Sequence, residues 1–466
     1  MQILRPKAPT REQLSVLARN NAGVLLLSGA AGSGKTTTAL LRLEQQCGAW
    51  LNRRRRLEIE EPVRVIVLTY NSTLESYIRE LAQLSADPSD ELELKVATFA
   101  KFAMDVVGYR PVLDREEADE WLRELASGFD RQVDREFLID EVDYVLGLYA
   151  PEELESYVTE RREGRGVSPR FGAALRRKLL DEVIYPYGQR KAEKGVIDWN
   201  DLAILAGRSA SPSWDVVIVD EAQDFSANEL RAVISRLAKD HSATFVADTA
   251  QRIYTRHFTW SDVGVENPTT FRLTENHRNT ANIAALARSV IEGVDLGERG
   301  SKPSPRATVH QGDCPVVLRG LYSAQLDWVL DNVVAPAVEA NETVAMLKAW
   351  GGGFFTLDKR VLSRRGVPFV DLTRTKTWPL GDEVVGLSTL HSAKGLEFDH
   401  VVIIGLSAQM TPHGLEEGDV ELERLQRLLA MGVGRARRTV TLGYKPGEES
   451  SLLQFIDEDA CEVIQL

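Results

Sequence analysis

The sequence predicts an α/β fold with parallel strands, and three observations support this fold class. Four apolar residues at 24–27 form a strand-like run, and a glycine-rich segment at 29–36 follows it directly. Further apolar runs of strand length end in polar side chains, as at 63–68 and 216–219. Helix-like segments separate these runs. In such an alternation the strands pair in parallel, and ligands bind beyond their carboxyl ends.

The segment at 29–36, GAAGSGKT, fits the phosphate-loop pattern G-x-x-x-x-G-K-[ST] at every fixed position. Its glycines let the backbone curl so that successive N–H groups face one anion, and the following helix directs its positive end to the same point. Lys35 can reach the β- and γ-phosphates, and the Thr36 hydroxyl can bind Mg²⁺. The predicted nucleotide-binding residues are Gly29, Gly32, Ser33, Gly34, Lys35, Thr36 and Thr37. A chance glycine-rich turn is the alternative, and the order strand, loop, helix argues against it.

Composition is that of an ordinary globular protein without membrane segments. Of the 466 residues, 43% are hydrophobic and 27% are charged, and this length predicts about three domains. The first residues lack a signal-peptide pattern, and three widely separated cysteines suit reduced thiols, so we expect a cytoplasmic protein. The formal net charge of −13 disfavours general polyanion binding, yet a basic groove on an acidic protein can still bind nucleic acid.

Paired acids follow the apolar run at 216–219. Asp220 can hold Mg²⁺ together with Thr36, and Glu221 can polarise an attacking water. A further strand at 244–248 leads to Gln251, which at a strand end can report the γ-phosphate. A buried strand with an acidic helix cap is the alternative interpretation. Because a phosphate loop precedes these acids, the sequence favours ATP hydrolysis.

Strand-like patterning disappears from about 104 to 180, where Glu, Arg, Leu and Ala recur at helical spacing, and it returns with IDWNDL at 197–202. The segment 104–180 is therefore predicted to be a helical insertion.

Two later segments also predict helices. Asn279 or Thr280 can cap an alanine-rich helix. The segment at 425–438 predicts a helix that carries Arg435 and two further arginines near its end.

A hydroxyl and an aromatic ring follow two of the predicted strands. Tyr70 and Asn71 come after the strand at 63–68, and Thr98 and Phe99 lie in the next apolar stretch. Hydroxyl groups at strand ends can contact phosphate oxygens, and rings can stack on bases. For either stretch taken alone, an aromatic ring in the core is the favoured interpretation.

The order of these segments resembles that of the UvrD/Rep-type superfamily 1 DNA helicases across nearly the whole chain. The matching segments are PTREQ, GAAGSGKT, LTYNS, TFAKF, IDWNDL, IVDEAQD, QRIY, ENHRN, TLHSAKGLEFD and RLLAMGVGRAR, in the family's order. The resemblance implies two RecA-like parallel-sheet cores with ATP and Mg²⁺ bound in the cleft between them. The expected domains are a first core at 1–103 plus 181–283, a helical insertion at 104–180, and a second core at 284–466.

The resemblance also implies roles for single residues. Gln13 would read adenine, His277 would stack on it, and Glu397 would approach the ribose. Arg278 and Arg435 would be arginine fingers from opposite sides of the cleft, stabilising charge in the transition state. The DNA-contacting segments of the family correspond to those that hold Tyr70, Asn71, Thr98, Phe99, Tyr254, Trp260 and His391.

The chain departs from the family pattern at several positions. His277 stands where the family has a tyrosine, and Ala430 and Gly434 replace a tyrosine and a threonine before Arg435. After QRIY the aromatic–arginine pair is replaced, so base stacking there would use Trp260. The short interval from 278 to 388 leaves little room for the large second-core insertion of full-size relatives, and no nuclease segment follows the last matching segment.

These features predict a DNA-dependent ATPase that translocates on single-stranded DNA, with 3′ to 5′ polarity implied by the resemblance. DNA repair, replication restart or phage defence is the expected context. Because the second-core insertion is missing, unwinding of a tailed duplex is left open, and a nuclease or other protein partner is expected to complete the activity. An RNA-directed motor is one alternative. The other is a nucleotide-gated interaction module that binds ATP without translocating, which the altered final motif supports.

Overall fold

A computed structural model describes the chain from residue 8 to residue 466. The residues outside the description are 1–7, 30–31, 71, 86–88, 131–132, 134, 161–170, 211–212, 248–257, 295–307, 350–354, 374–377, 380 and 409–419. The described residues form two parallel sheets flanked by helices, with a group of helices between two strands of the first sheet. The predicted fold class, two parallel-sheet α/β cores with a helical insertion in the first, is therefore confirmed.

The first sheet has six strands, all paired in parallel. They are β1 Gly23–Gly29, β2 Val63–Thr69, β3 Leu92–Thr98, β4 Trp214–Val219, β5 Leu237–Ala247 and β6 Thr269–Leu273, in the spatial order β3-β2-β4-β5-β1-β6. The helices of this core are α1 Arg11–Leu17, α2 Lys35–Arg56, α3 Ser72–Ser85, α4 Phe99–Val107, α10 Trp199–Arg208 and α11 Ala227–Ile234. All six residues of β4 are buried, as expected for a central strand covered by helices on both faces.

The chain between β3 and β4 is helical, as its sequence predicts. These helices are α5 Arg115–Leu125, α6 Arg135–Leu148, α7 Ser156–Thr159, α8 Ala173–Leu179 and α9 Tyr185–Lys194. They enclose an apolar cluster of their own, which includes Trp121, Tyr157 and Tyr187. Because that cluster continues past residue 180, the domain boundary at 180 stays a prediction.

The second sheet has seven strands, again all parallel. A separate pair precedes them, formed by β7 Asn276–Thr280 and β8 Thr308–His310. The strands of the sheet are β9 Val316–Arg319, β10 Val344–Lys348, β11 Phe369–Asp371, β12 Val385–Thr389, β13 Phe398–Ile403, β14 Ala436–Tyr444 and β15 Glu462–Gln465, in the order β11-β12-β10-β13-β14-β9-β15. The helices of this half are α12 Ala281–Val290, α13 Tyr322–Val329, α14 Ala335–Ala340, α15 Thr356–Arg364 and α16 Val420–Val433.

The helix predicted at 425–438 is too long by several residues. Helix α16 ends at Val433, Arg435 lies in the following turn, and residues 436–438 already belong to β14. Gly432 and Gly434 weaken helix propensity at this point. The run that follows, Thr439 to Leu442, is rich in β-branched side chains that favour a strand.

The two cores contact each other through α3. The Thr73 hydroxyl donates to the Leu372 carbonyl at 3.0 Å, and the rings of Tyr77 and Trp378 meet edge to face with centroids 4.9 Å apart. Leu74 of α3 is fully buried and lies against Gly395. One apolar cluster therefore runs from the first core into the second.

No helix in the described part of the chain combines the length and the apolar character needed to cross a membrane.

We expect Gly395→Ala to lower the midpoint of thermal unfolding by weakening this contact between the cores. Gly395 has φ +83°, and a Cβ there would lie 2.6 Å from Leu74 Cδ1. The strained backbone costs about 1–2 kcal/mol, and forcing apart a packed core adds about 1–3 kcal/mol. Gly366→Ala is the matched control, since Gly366 has φ +67° and a methyl group there would meet nothing within 4 Å. Equal shifts for both variants would contradict the packing role of Gly395.

Candidate nucleotide site

The phosphate loop lies between β1 and α2, with the segment 276–278 packed against it. Gly32 adopts φ +79°, and a Cβ at Gly32 would lie 2.1 Å from Asn276 Oδ1, so only glycine fits. The backbone N–H of His277 donates to the Gly32 carbonyl at 3.0 Å. The Ser33 hydroxyl is buried and has no hydrogen-bond partner among the described residues. A buried hydroxyl without a partner beside backbone N–H groups suits a phosphate oxygen.

The first turn of α2 brings Lys35, Thr36 and Thr37 to this loop. Lys35 Nζ donates to the Gly29 carbonyl at 2.7 Å, so the ammonium folds back over the loop. Thr36 Oγ1 donates to Asp220 Oδ2 at 2.9 Å, and Thr37 is half-buried. The structure thus brings together the hydroxyl and the carboxylate that the sequence predicts as Mg²⁺ ligands. Hydroxyl and carboxylate oxygens are the hard ligands this ion prefers.

Asp220 and Glu221 are both buried at the carboxyl end of β4. Burial and the neighbouring charge of Glu221 raise the pKa of Asp220 to about 7. Burial alone would also raise the pKa of Glu221, but the positive charges of Lys394, Arg435 and Lys35 lower it. Glu221 is therefore ionised at neutral pH. Its backbone has φ +53°, an uncommon conformation for a residue with a side chain and one often found at functional sites.

Lys394 is a site residue that the sequence does not single out. Its Nζ lies 2.6 Å from Asp224 Oδ2 and 4.0 Å from Glu221 Oε2, and the Lys394 and Asp224 side chains are both buried. The sequence does hint that such a cation exists. Asp224 is the third acidic residue of IVDEAQD, and a buried carboxylate at that position needs a cation from another part of the chain. Nothing in the local pattern around Lys394 identifies it as that cation.

Arg278, Glu397 and the turn at Gly434 meet beside the phosphate loop. Arg278 Nη2 donates to Glu397 Oε1, and Arg278 Nη1 donates to the Gly434 carbonyl at 3.4 Å. Burial would raise the pKa of Glu397, but the nearby charge of Arg278 lowers it, helped by Arg435. Arg435 is 1% exposed, and its Nε contacts Met431 Sδ at 3.2 Å. The two predicted arginine fingers therefore lie in one buried, charged region.

Gln13 and His277, the predicted adenine contacts, both touch the phosphate loop, Gln13 at Gly34 and His277 at Gly32. Gln13 Nε2 donates to the Gly34 carbonyl at 3.4 Å, and Gln13 Oε1 accepts from the Thr10 backbone N–H at 2.9 Å. His277 Nε2 lies 3.1 Å from a Glu275 carboxylate oxygen. The Gln13 amide is thus hydrogen-bonded within the protein, whereas His277 Nε2 is buried without a hydrogen-bond partner among the described residues.

Phe99 and Trp260 of the predicted DNA-contacting set pack against other rings of the first core. Phe99 is 5% exposed and meets Phe225 edge to face at 6.1 Å, as the core interpretation of this ring expected. Thr98 caps α4 by accepting from the Lys101 backbone N–H, and Tyr70 is half-buried beside Phe225. Trp260 is half-buried and packs against Phe245 at 5.2 Å.

His391 lies just beyond β12, at the carboxyl end of the second sheet. Burial lowers the pKa of His391 to about 4, with further lowering by Arg424, Lys394 and Arg115. The imidazole is therefore neutral at physiological pH. The predictions for Asn71, Gln251 and Tyr254 fall outside the described residues.

A phosphate loop, buried acids and cations from a second parallel-sheet core define a two-core phosphate-loop nucleotide-binding protein. Comparison with protein families narrows this class. The UvrD/REP helicase N-terminal domain matches residues 10–262, over half of the chain, and the UvrD-like helicase C-terminal domain matches residues 372–446. The chain belongs to the UvrD/REP helicase family.

Two bacterial DNA helicases match this chain over short segments, which cover less than a tenth of each helicase's own length. The chain is 47% identical to DNA helicase II of Escherichia coli K12 over 70 residues, which are 15% of this chain and 9% of that protein. It is 42% identical to the ATP-dependent DNA helicase PcrA of Bacillus subtilis 168 over 65 residues, or 13% and 8% of the two chains. The C-terminal domain of a possible DNA helicase from Lactobacillus plantarum WCFS1 is 22% identical, covering 40% of this chain and 98% of that one. Its TM-score is 0.29, too low to bear on the fold.

Replacing Lys394 with methionine should destabilise the protein strongly, because it removes the cation 2.6 Å from a buried Asp224. Breaking a buried ion pair on one side costs about 3–5 kcal/mol, which urea unfolding will detect as a lower midpoint. Lys359→Met is the matched control: its partner Asp371 is 42% exposed, so the cost stays below about 1 kcal/mol. Adding Asp224→Asn should recover much of the stability of Lys394→Met. A Lys394→Met midpoint equal to that of the control would contradict this account.

Proposed function

We propose that the chain is an ATP-dependent translocase on single-stranded DNA that hydrolyses ATP between its two cores. The observation that carries this proposal is the convergence at the phosphate loop. Asp220 and Glu221 of the first core lie at one side of it, and Lys394 and Arg435 of the second core are near enough to lower the pKa of Glu221. A nucleotide bound at this point would contact both cores, so its hydrolysis can change their arrangement.

The residues present suit ATP together with Mg²⁺. Ser33 and Lys35 would hold the phosphates, and Thr36 with Asp220 would hold the metal, whose charge would offset the buried carboxylates. The raised pKa of Asp220 reflects a cost of burial that a bound cation relieves. Gln13 and His277 would contact the adenine, and Glu397 the ribose.

Hydrolysis would use the ionised Glu221 to orient and polarise the attacking water. Arg278 and Arg435 would stabilise the charge that develops on the transferred phosphoryl group, and Gln251 would report its presence. Arg278 now pairs with Glu397, so it would exchange a carboxylate for a phosphate when ATP binds. Because Arg278 of the first core would then release Glu397 of the second, ATP binding would change the contact between the cores, and hydrolysis would restore it.

Single-stranded DNA would pass the carboxyl ends of the two sheets, where Tyr70, Thr98 and His391 lie. Neutral His391 would contact bases, while the positive charges of Arg115 and Arg424 would favour a polyanion.

We assign the domain division into 1–103 plus 181–283, 104–180 and 284–466 on the family resemblance. The 3′ to 5′ direction of movement along DNA rests on the same resemblance. The missing second-core insertion supports dependence on a nuclease or other partner for strand separation. Processive unwinding of a tailed duplex by the purified chain alone would contradict that dependence.

We expect single-stranded DNA to stimulate steady-state ATP hydrolysis, and Lys35→Ala and Glu221→Gln each to abolish the stimulated rate. Removing one group that acts in the transition state lowers kcat by about 10²–10³-fold. Phosphate release is measured with and without an oligonucleotide, at matched protein concentration. Lys445→Ala is the control, since Lys445 pairs with exposed Glu448 after β14 and should leave the rate unchanged.

The same assay separates the alternatives. Stronger stimulation by RNA than by DNA of the same sequence would indicate an RNA-directed motor. Binding of ATP without turnover, with or without either nucleic acid, would indicate a nucleotide-gated interaction module and contradict the proposal.

A further inference from the structure

Two asparagines, Asn276 and Asn279, are buried between the phosphate loop and the turn that holds Arg435. Each is 2% exposed. Buried amides are retained only where their donors and acceptors are satisfied, since an unpaired one costs about 1–3 kcal/mol. The partners of these two side chains therefore show what the pair holds in position.

Asn276 organises the Arg278 side of the pair. Its Oδ1 accepts from the backbone N–H groups of Arg278 at 3.0 Å and Asn279 at 3.1 Å. The same oxygen faces Gly32 so closely that no side chain fits there. Its Nδ2 donates to Asn279 Oδ1 at 3.1 Å, which leaves both hydrogens of the Asn279 amide free to point away from Asn276.

Asn279 holds the Arg435 side. Its Nδ2 donates to the Gly434 carbonyl at 3.1 Å and to the Ala436 carbonyl at 2.6 Å. These carbonyls belong to the residues immediately before and after Arg435. The helix cap for α12 is supplied instead by Thr280, whose hydroxyl accepts from the Ile283 backbone N–H. Asn279 is thus not needed as a cap, and its amide nitrogen donates to the second core.

We propose that Asn279 is a positioning residue that fixes the backbone of Arg435 relative to Arg278 and the phosphate loop. Gly434 follows the last residue of α16, and within the second core the Arg435 N–H donates to the Gly432 carbonyl and the Arg435 carbonyl accepts from the Phe398 N–H, each at 3.0 Å. Asn279 adds a contact that ties this turn to the first core. Two hydrogen bonds from one rigid amide define both the position and the direction of the intervening residue. The connected path runs from Gly32 through Asn276 and Asn279 to Arg435, so a shift of the loop reaches both arginines together.

This proposal rests on the proposed ATP hydrolysis, in which a small misplacement of a charged group costs about 10²-fold in rate. Asn279→Ala should lower the DNA-stimulated kcat by about 10- to 100-fold. The dissociation constant of a fluorescent ATP analogue should change less than about threefold, because Arg435 acts mainly in the transition state. Asn282→Ala is the matched control: Asn282 lies in the first turn of α12 and donates to the Gly312 carbonyl rather than to the turn at Arg435.

A double-mutant cycle separates positioning from general destabilisation. Starting from Arg435→Ala, adding Asn279→Ala should change kcat less than about twofold, because Asn279 then has no arginine to position. Independent, multiplicative losses in the two variants would overturn the proposal. So would an Asn279→Ala enzyme with the kcat of the Asn282→Ala control.

Hydrogen exchange distinguishes failure of this inference from failure of the proposed function. Amides at 434–438 should exchange faster in Asn279→Ala than in the wild type or in Asn282→Ala, whether or not the protein turns over ATP. A wild type without turnover but with this exchange pattern would overturn the proposed function and keep the structural coupling. Unchanged exchange at 434–438 would overturn the positioning role itself.

Discussion

The buried carboxylates at the end of β4 impose the condition on which the rest of the site depends. Asp220, Glu221 and Asp224 bring acidic groups into a region that solvent scarcely reaches. An unpaired charge there would cost several kcal/mol, so cations must come from nearby. The first core supplies Lys35, and the second supplies Lys394, which contacts Asp224 at 2.6 Å. The charge of one core therefore helps to fix the position of the other.

This condition also explains why a nucleotide would alter the contact between the cores. A triphosphate with its metal adds charge of both signs at the point where Arg278 is now paired with Glu397. The ion pairs that hold the two cores would then have to be redistributed among protein and phosphate groups. A ligand shifts a conformational equilibrium only through such differences in interaction between states. This site provides such differences because its cations come from both cores.

The sequence predicts well what depends on neighbouring residues. The run from β1 through the loop into α2 is local, and both the helix start at Lys35 and the Thr36–Asp220 contact follow the motif. The predicted end of α16 was wrong because glycines and a β-branched run outweighed the preceding helical spacing. The role of Lys394 was missed because it depends on Asp224, which is distant in sequence and becomes its neighbour only in the fold.

Asn279 is a second residue whose contacts could not be predicted from its neighbours in the sequence. A short polar side chain just before an alanine-rich helix suggests a cap, yet Thr280 forms the cap and Asn279 reaches across to 434 and 436. These two hydrogen bonds matter because Gly434, which precedes Arg435, has no side chain of its own to hold the turn. Where Gly434 replaces the threonine of the family pattern, the Asn279 amide donates to the carbonyls on both sides of Arg435, in addition to the hydrogen bond from the Arg435 N–H to the Gly432 carbonyl. A position that looks weakened in the sequence is therefore supported in the fold.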